Sequence, residues 1–397
     1  MHKKIKVSDL RIGMHLEKLD GSWLKHPFWK TSFILNNPKD LKAIKDSGIT
    51  HVWIDTNKGD DVKTEHNVQT EVITSTNKID NTSIKTTLED ELETAREVLA
   101  KAKQATINMF QEARMGNSIS IKDAAPLVDE IAQSVSRNAS AMLSISRMKN
   151  KDDYTYLHSV AVCALMIALG KQLGYQGDIH SLGMAGLLHD VGKMAIADEI
   201  LNKPGKLTDE EFKAIQEHPL RGWEILNQTA DVDEIALDVC LHHHERVDGH
   251  GYPDKISGDK LSLVARMGAV CDVYDAITSN RCYKKGWEPA DALKKMAEWK
   301  EGHFDDAIFK AFVKTVGIYP CGSLVKLQSG RLGIVTEQSE STLLKPKIKI
   351  FYSSTARAPI AHKIIDLTRS QEIIESVEEP EDWGFDQQRI MDILVES

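Results

Sequence analysis

The stretch Leu187-Leu188-His189-Asp190-Val191-Gly192-Lys193 places an imidazole, a carboxylate and an amine within five residues, at the end of an apolar segment. The apolar residues before it predict a buried helix. Adjacent His189 and Asp190 offer a nitrogen ligand and an oxygen ligand that can bridge two ions, as a two-metal hydrolytic site requires. A pattern this short also occurs by chance, so a functional interpretation depends on partners elsewhere in the chain.

The bulk composition is that of a soluble protein with two or three domains. The chain has 397 residues, 41% of them hydrophobic, and a formal net charge of −9. An acidic balance argues against a general binder of DNA, RNA or membrane surfaces. The N-terminus has no apolar signal region after its lysines, and the longest apolar run, Val160 to Leu169, is too short for a bilayer. We expect a cytoplasmic protein with no membrane partner.

The cysteines support a reducing compartment. They are odd in number, scattered and without Cys-x-x-Cys spacing, and they are Cys163, Cys240, Cys271, Cys282 and Cys321. Such a pattern is typical of reduced core residues in a cytosolic protein.

Composition and periodicity divide the chain into five predicted segments. These are a small α+β regulatory domain (1–55), a flexible linker (56–87), connecting helices (88–150), an all-helical catalytic domain (151–318), and a β-hairpin extension with an acidic tail (319–397). The predicted fold class is therefore mainly α. The paired connecting helices favour a homodimer.

Candidate metal ligands recur through the helical segment. They are His158, His189, Asp190, His218, the triplet His242-His243-His244, and Asp272. A lone histidine such as His158 or His218 is more often a hydrogen-bonded core or surface residue. Asp272 falls on the apolar face of its helix, where an ionised carboxylate is costly unless it is paired or bound to metal.

The triplet is ambiguous because its members share one helix end. Steps of four and seven residues from Val239, Ala236 and Cys240 put two of the three inward, and helical phase favours His243 and His244 over His242. The alternative is a solvated polar helix end.

Imidazoles and carboxylates without thiolate suit iron, manganese, zinc or nickel better than a structural cysteine-type zinc site. A pair of such ions lowers the pKa of bound water toward about 7, which gives a hydroxide nucleophile, and also binds phosphate oxygens. The predicted reaction is phosphoester hydrolysis. Lys193, four residues after His189, would hold a phosphate or give a proton to the leaving oxygen. Arg281 and Lys284 are further cations near the site, for which surface solvation is an equal explanation.

Over residues 150–318 the sequence resembles the HD-GYP family of cyclic-dinucleotide phosphodiesterases. The motifs that carry the resemblance are His189-Asp190-Val191-Gly192-Lys193, His218-Pro219, His243-His244-Glu245-Arg246, Asp248-Gly249-His250-Gly251-Tyr252-Pro253, and Asp272-Val273-Tyr274-Asp275-Ala276 leading to Arg281. Residues 1–55 resemble, more loosely, a domain of unknown function that often precedes this family's catalytic domain.

The resemblance implies an all-helical domain with two divalent ions, most often iron or manganese. The implied ligands are His158, His189, Asp190, His218, His243, His244 and Asp272, with Asp190 bridging the ions. The implied substrate contacts are Lys193, Tyr252, Arg281 and Lys284, and Asp275 resembles a residue that supports a ligand. Tyr154 stands where members with a third metal carry a glutamate, so we expect two metals.

We therefore predict an enzyme that hydrolyses cyclic di-GMP to pGpG, with further cleavage to GMP as a second step, using Asp190 and Lys193 in catalysis. A 3′,3′-cyclic GMP-AMP phosphodiesterase is the alternative within the class. A cyclic-dinucleotide-binding regulator without turnover is the alternative outside it, but it predicts a lost ligand or a lost Lys193. A mononucleotide-cleaving HD protein is disfavoured by Gly251-Tyr252-Pro253.

Overall fold

The computed structural model describes residues 2–19, 33–35, 41–42, 44–45, 51–60, 86–147, 154–203, 205–279, 286–339 and 341–395. The chain divides into two compact units, Met1–Asp80 and Asn81–Ser397. Most of the predicted linker, residues 61–85, lies outside the described residues, and so do Arg281 and Lys284.

The part of the first unit that the structure describes contains a four-stranded antiparallel sheet. Its strands are β1 (His2–Lys6), β2 (His15–Leu19), β3 (Phe33–Ile34) and β4 (His51–Asp55), in the order β1-β4-β2-β3. Successive side chains of β1 and β4 point to opposite faces of the sheet, and those on one face, including Ile5, Val52 and Ile54, are buried in a small core. Residues 41–42 and 44–45 are helical. The predicted α+β character of this region is confirmed.

The second unit begins with two long antiparallel helices, α1 (Leu88–Arg114) and α2 (Ile121–Arg147). Thr87 caps α1 by accepting a hydrogen bond from the Asp90 amide at 3.1 Å. Helix α2 is kinked at Asn138, whose φ of −156° and ψ of 98° are not helical. Next to the kink, Arg137 forms a short ion pair with Glu91, which is only 2% exposed, and this contact fixes α2 against α1.

Over the described residues, ten further helices follow, nine of them before the C-terminal sheet. The bounds of those nine are α3 (Tyr154–Leu173), α4 (Ile179–Leu188), α5 (Asp198–Leu201), α6 (Asp209–Gln216), α7 (His218–Asn227), α8 (Glu234–His242), α9 (Leu263–Thr278), α10 (Pro289–His303) and α11 (Asp306–Val316), with a 3₁₀ turn at Val191–Ala195. The all-helical prediction for this segment is confirmed.

Helix α3 lies at the centre of the second unit. Every residue from Leu157 to Gly170 is buried, because helices pack around it on all sides. Among the described residues it is the one helix long and apolar enough to cross a membrane, but 78% of its apolar window is buried inside the protein. The apolar run Val160 to Leu169 therefore lies within a buried core helix.

The C-terminal segment contains more structure than the predicted hairpin. Five antiparallel strands form one sheet here. They are β5 (Leu324–Leu327), β6 (Arg331–Glu337), β7 (Lys347–Ser353), β8 (Ala358–Asp366) and β9 (Ile374–Val377). Their order in the sheet is β8-β7-β6-β5-β9. Part of the predicted tail forms β9, and α12 (Gln387–Val395) follows it. Helix α12 buries Ile390, Met391, Ile393 and Leu394 in the same core as the helical domain.

Candidate metal centre

All seven predicted ligands come together in the helical domain. His158 is in the first half of α3, His189 caps the C-terminus of α4, and Asp190 follows it. His218 begins α7, while His243 caps the C-terminus of α8. His244 and, on α9, Asp272 complete the set. Each is buried except His244, whose side chain is 22% exposed.

These residues form two groups in which every member offers one ligand atom within 4.8 Å of the others. One group is His218, His243 and His244, and the second is His158, His189, Asp190 and Asp272. Both group sizes are compatible with a metal ion that keeps open positions for water or substrate.

Backbone carbonyls fix the protonation of three of these histidines. His189 Nδ1 lies 2.7 Å from Gly186 O, His218 Nδ1 lies 2.7 Å from Ile215 O, and His243 Nδ1 lies 3.0 Å from Val239 O. Because a carbonyl oxygen only accepts, each Nδ1 must carry the proton, and the lone pair is on Nε2 in the neutral ring. Helix ends supply these carbonyls, since the last carbonyls of a helix lack partners within it.

The Nε2 atoms of these histidines point toward one another, and no hydrogen-bond donor among the described residues lies between them. His218 Nε2 and His243 Nε2 face each other at 3.2 Å. Within the described parts of the chain, His189 Nε2 and Asp190 Oδ1 are buried and make no hydrogen bond. Buried acceptors are costly when unsatisfied, and divalent cations would satisfy all of these atoms together. The donor set therefore fits metal ions.

Asp190 lies between the other histidines of its own group and the His218 group. Its Oδ2 is 3.4 Å from His158 Nε2 and 3.3 Å from His189 Nε2, while its Oδ1 is 3.2 Å from His218 Nε2. One carboxylate with an oxygen toward each group has the geometry that a bridging ligand needs.

His158 is held from its far side by a second carboxylate. Asp275 Oδ2 lies 2.6 Å from His158 Nδ1, and the Asp272 carboxylate lies 3.0 Å from His158 Nε2. Since a carboxylate accepts the Nδ1 proton, the Nε2 atom is directed into the centre. Tyr154 stacks on the His158 ring, with centroids 5.5 Å apart. Asp275 occupies the supporting position that the resemblance implies for it.

The electrostatics of the site give His243, His244 and Asp190 the charge that a metal ligand requires. Burial, reinforced by the neighbouring imidazoles, lowers the pKa of His243 well below its ordinary value. Burial also lowers the pKa of His244 to about 3, so both rings are neutral at physiological pH. Burial would raise the pKa of Asp190, but Lys193 and His189 outweigh it and hold that pKa well below its usual range.

The second group, which contains His189, behaves differently. Burial lowers its pKa, but the carboxylates of Asp190 and Asp272 outweigh this effect and raise the pKa to about 10. An imidazole that attracts a proton so strongly lies in a field that favours positive charge, which a metal ion also supplies.

Lys193 lies beside the centre. Its Nζ contacts Asp190 Oδ2, and its side chain is 20% exposed, so it contacts a predicted ligand and is also partly accessible to solvent. Its neighbour Gly192 permits this arrangement, because a Cβ there would be 1.9 Å from the carbonyl oxygen of His218. The 3₁₀ turn that carries Lys193 can therefore lie directly on α7.

The loop after His244 folds back over the site. The half-buried Tyr252 stacks on the His244 ring with centroids 4.8 Å apart, and its amide donates to the His244 carbonyl at 3.2 Å. Gly251 is required for this close approach, because a Cβ there would lie 2.4 Å from the Cα of Glu245. Tyr252 is thus adjacent to the predicted ligands, whereas Arg281 and Lys284, also predicted to contact substrate, are not described.

His242 turns away from the centre. Its Nδ1 lies 2.7 Å from Asp238 Oδ1 and its Nε2 lies 3.3 Å from Asp254 Oδ2. The helical-phase preference for His243 and His244 agrees with this placement. Glu245, for which the sequence predicted no role, is only 2% exposed. A charged residue directly after two inward histidines was the available signal.

Comparison with known proteins identifies the family. The family model described as an HD domain matches residues 124–308, and the model described as a domain of unknown function (DUF3391) matches residues 2–124. Cyclic di-GMP phosphodiesterase PA4108 of Pseudomonas aeruginosa is 50% identical over 390 residues, which are 97% of this chain and 94% of that protein. The chain belongs to the HD-GYP family.

Other relatives match a smaller share of the chain. The cyclic di-GMP phosphodiesterase response regulator RpfG of Xanthomonas campestris pv. campestris is 32% identical over 51% of this chain and 57% of that protein. A 3′3′-cGAMP-specific phosphodiesterase 1 of Vibrio cholerae is 34% identical over 44% of this chain and 41% of that protein. The DUF3391 match extends past residue 55, where the N-terminal domain was predicted to end, and through α1.

Proposed function

We propose that this protein is a metal-dependent phosphodiesterase that hydrolyses cyclic di-GMP. The observation that carries the proposal is the convergence of seven ligand atoms, in a chain that is 50% identical over nearly its full length to a cyclic di-GMP phosphodiesterase. The ligands are His158, His189, Asp190, His218, His243, His244 and Asp272. They would hold two divalent ions. The nitrogen and oxygen donors suit iron, manganese, zinc or nickel, and the family resemblance favours iron or manganese among these.

Two such ions, when bound, would supply positive charge to the phosphate oxygens and a hydroxide nucleophile at neutral pH. The residues of the chain prepare this chemistry. Asp190 presents one oxygen to each ligand group, and the carbonyls behind His189, His218 and His243 direct their Nε2 atoms inward. Little rearrangement is then needed when substrate binds.

Lys193 and Tyr252 are the proposed substrate contacts among the described residues. Hydrolysis forms one bond between phosphorus and the oxygen of water and breaks the bond to the 3′-oxygen, which takes up a proton. Lys193, beside the centre, would bind a phosphate oxygen and donate that proton. Tyr252, stacked on His244, would contact the dinucleotide. Arg281 and Lys284 remain proposed contacts from the family resemblance.

The product proposed for the first step is pGpG, with GMP as the product of a second hydrolysis. A cytoplasmic location and a homodimer also remain predictions. The N-terminal unit is proposed to be regulatory, since its DUF3391 match covers a region separate from the ligands.

Anaerobic turnover of cyclic di-GMP by iron- or manganese-loaded protein tests this proposal. Products are resolved over time, and 3′,3′-cyclic GMP-AMP is run in parallel at equal concentration. Faster consumption of cyclic di-GMP with accumulation of pGpG supports the proposal. Preferential cleavage of 3′,3′-cyclic GMP-AMP would show that this dinucleotide is the substrate instead. Binding without turnover of either, in protein that holds two metals, would replace the enzyme with a regulator.

A further inference from the structure

A loop between α8 and α9 determines where Tyr252 lies. Its base is closed by the Gly258 amide, which donates to the Val247 carbonyl at 3.0 Å, and its first turn is anchored by the Asp248 amide, which donates to the Gly302 carbonyl at 2.9 Å. These contacts fix the ends of the loop. The segment between them carries Tyr252, whose amide donates to the His244 carbonyl at 3.2 Å, and the residues that follow Tyr252 need a further anchor.

Glu245 provides that anchor from beneath the loop. Its Oε1 accepts hydrogen bonds from two successive amides, Asp254 N at 2.6 Å and Lys255 N at 2.8 Å. Its side chain is buried, whereas Asp254 and Lys255 are themselves exposed. Hydrogen bonds from two backbone amides to one buried carboxylate oxygen are short and charge-assisted, and such bonds are stronger than those between neutral groups.

The other oxygen of Glu245 is oriented differently. Oε2 is buried and, over the described residues, has no hydrogen-bond partner. Glu245 is also absent from both ligand groups found among those residues. Its contacts are thus with the loop backbone, and its role differs from that of His243 and His244, which precede it.

We infer that Glu245 is a positioning residue, which holds the backbone of Asp254 and Lys255 and thereby keeps Tyr252 seated on His244. The inference rests on the proposed function, because Tyr252 contacts the dinucleotide there. One oxygen makes both bonds, so an amide oxygen at the same place retains them. Glu245→Gln should therefore preserve the loop, whereas Glu245→Ala should release it.

Amide hydrogen exchange tests the anchor without reference to activity. In the wild-type protein, Asp254 and Lys255 should exchange at least tenfold more slowly than unprotected amides, although their side chains are exposed. Glu245→Ala should abolish this protection, Glu245→Gln should keep most of it, and Glu298→Ala, which removes an exposed carboxylate from α10, should leave it unchanged. Fast exchange of both amides in the wild-type protein overturns the inference.

Steady-state kinetics then tests the consequence for Tyr252. Glu245→Ala should raise KM for cyclic di-GMP at least tenfold while the metal content per chain stays at the wild-type value. In a Tyr252→Ala background the same change should cost less than twofold more, because the two residues act through one contact. Full additivity of the two changes, or metal loss that accounts for the defect, overturns the inference.

The exchange and kinetic experiments distinguish a failure of this inference from a failure of the proposed function. If wild-type protein turns over no cyclic dinucleotide, the proposed function fails while the exchange data still report on the anchor. If Glu245→Ala does not fold, the wild-type exchange rates and the kinetics of Glu245→Gln still decide the matter.

Discussion

Removal of the Asp275 carboxylate should weaken metal binding at one of the two ligand groups. Asp275 Oδ2 lies 2.6 Å from His158 Nδ1, and both side chains are buried. A hydrogen bond with a charged partner contributes about 1.5–3 kcal/mol. Since about 1.4 kcal/mol is a factor of ten in an equilibrium constant, Asp275→Ala should weaken metal affinity at the His158 group by about 10–150-fold.

Asp238→Ala is the matched control. Asp238 makes the same kind of contact with His242, at 2.7 Å from its Nδ1, but His242 faces away from the centre. The assay is anaerobic competition with a chelator, followed by measurement of the metal retained per chain. Asp275→Ala should lose one ion at chelator concentrations at which wild-type protein and Asp238→Ala keep both.

Two results would refute this reasoning. One is wild-type metal affinity in Asp275→Ala, which would show that His158 needs no support or is not a ligand. The other is equal metal loss in Asp238→Ala, which would show a general effect of removing a carboxylate from a helix. Thermal unfolding of both variants without metal separates loss of affinity from loss of fold.

Three further predictions concern neighbouring residues. Lys193→Met should keep its metal and lose about 100-fold or more in kcat, because general acid catalysis is typically worth that much; wild-type kcat would contradict the role. His243→Ala should lower the metal content per chain while His242→Ala leaves it unchanged, because only His243 faces His218; the reverse pattern would exchange their assignments. Gly192→Ala should destabilise the protein by about 3 kcal/mol, the upper range for overpacking, because its Cβ would meet backbone at 1.9 Å. Gly116→Ala, with nothing within 4 Å, should cost only about 1–2 kcal/mol for its positive φ in the same thermal unfolding experiment.

Much of the helical domain was predictable because burial leaves a strong periodic signal. Asp272 was singled out as a carboxylate on an apolar helix face, and it is 5% exposed in the structure. The choice within the histidine triplet also followed from helical phase, although α8 ends at His242 and His243 is only its cap. The phase argument held because the cap residue still has helical backbone angles.

Strands without a continuous buried face were harder to predict from the sequence. Strand β8 lies at the edge of its sheet and is exposed along most of its length, so hydrophobic alternation is weak there. The acidic segment before α12 gave no sign that β9 pairs with β5. Long-range pairing of this kind depends on partners distant in sequence, which local patterns do not specify.

The role of Glu245 could not be predicted from its neighbours in sequence. Its hydrogen bonds go to the amides of Asp254 and Lys255, nine and ten residues later, across a loop with no helical or strand periodicity. The convergence of the Nε2 atoms could not be predicted from the sequence either. The carbonyls that orient His189 and His218 are backbone groups, whose positions depend on helix and turn geometry and not on a sequence motif.

Activity of metal-free protein, titrated anaerobically with Fe(II) or Mn(II), tests the central claim most directly. The claim is that the two ligand groups around Asp190 hold two ions that together cleave cyclic di-GMP. Turnover should be absent without metal, should remain low at one equivalent per chain, and should reach its plateau at two. Full activity at one equivalent, or turnover that persists in excess chelator, would contradict the account.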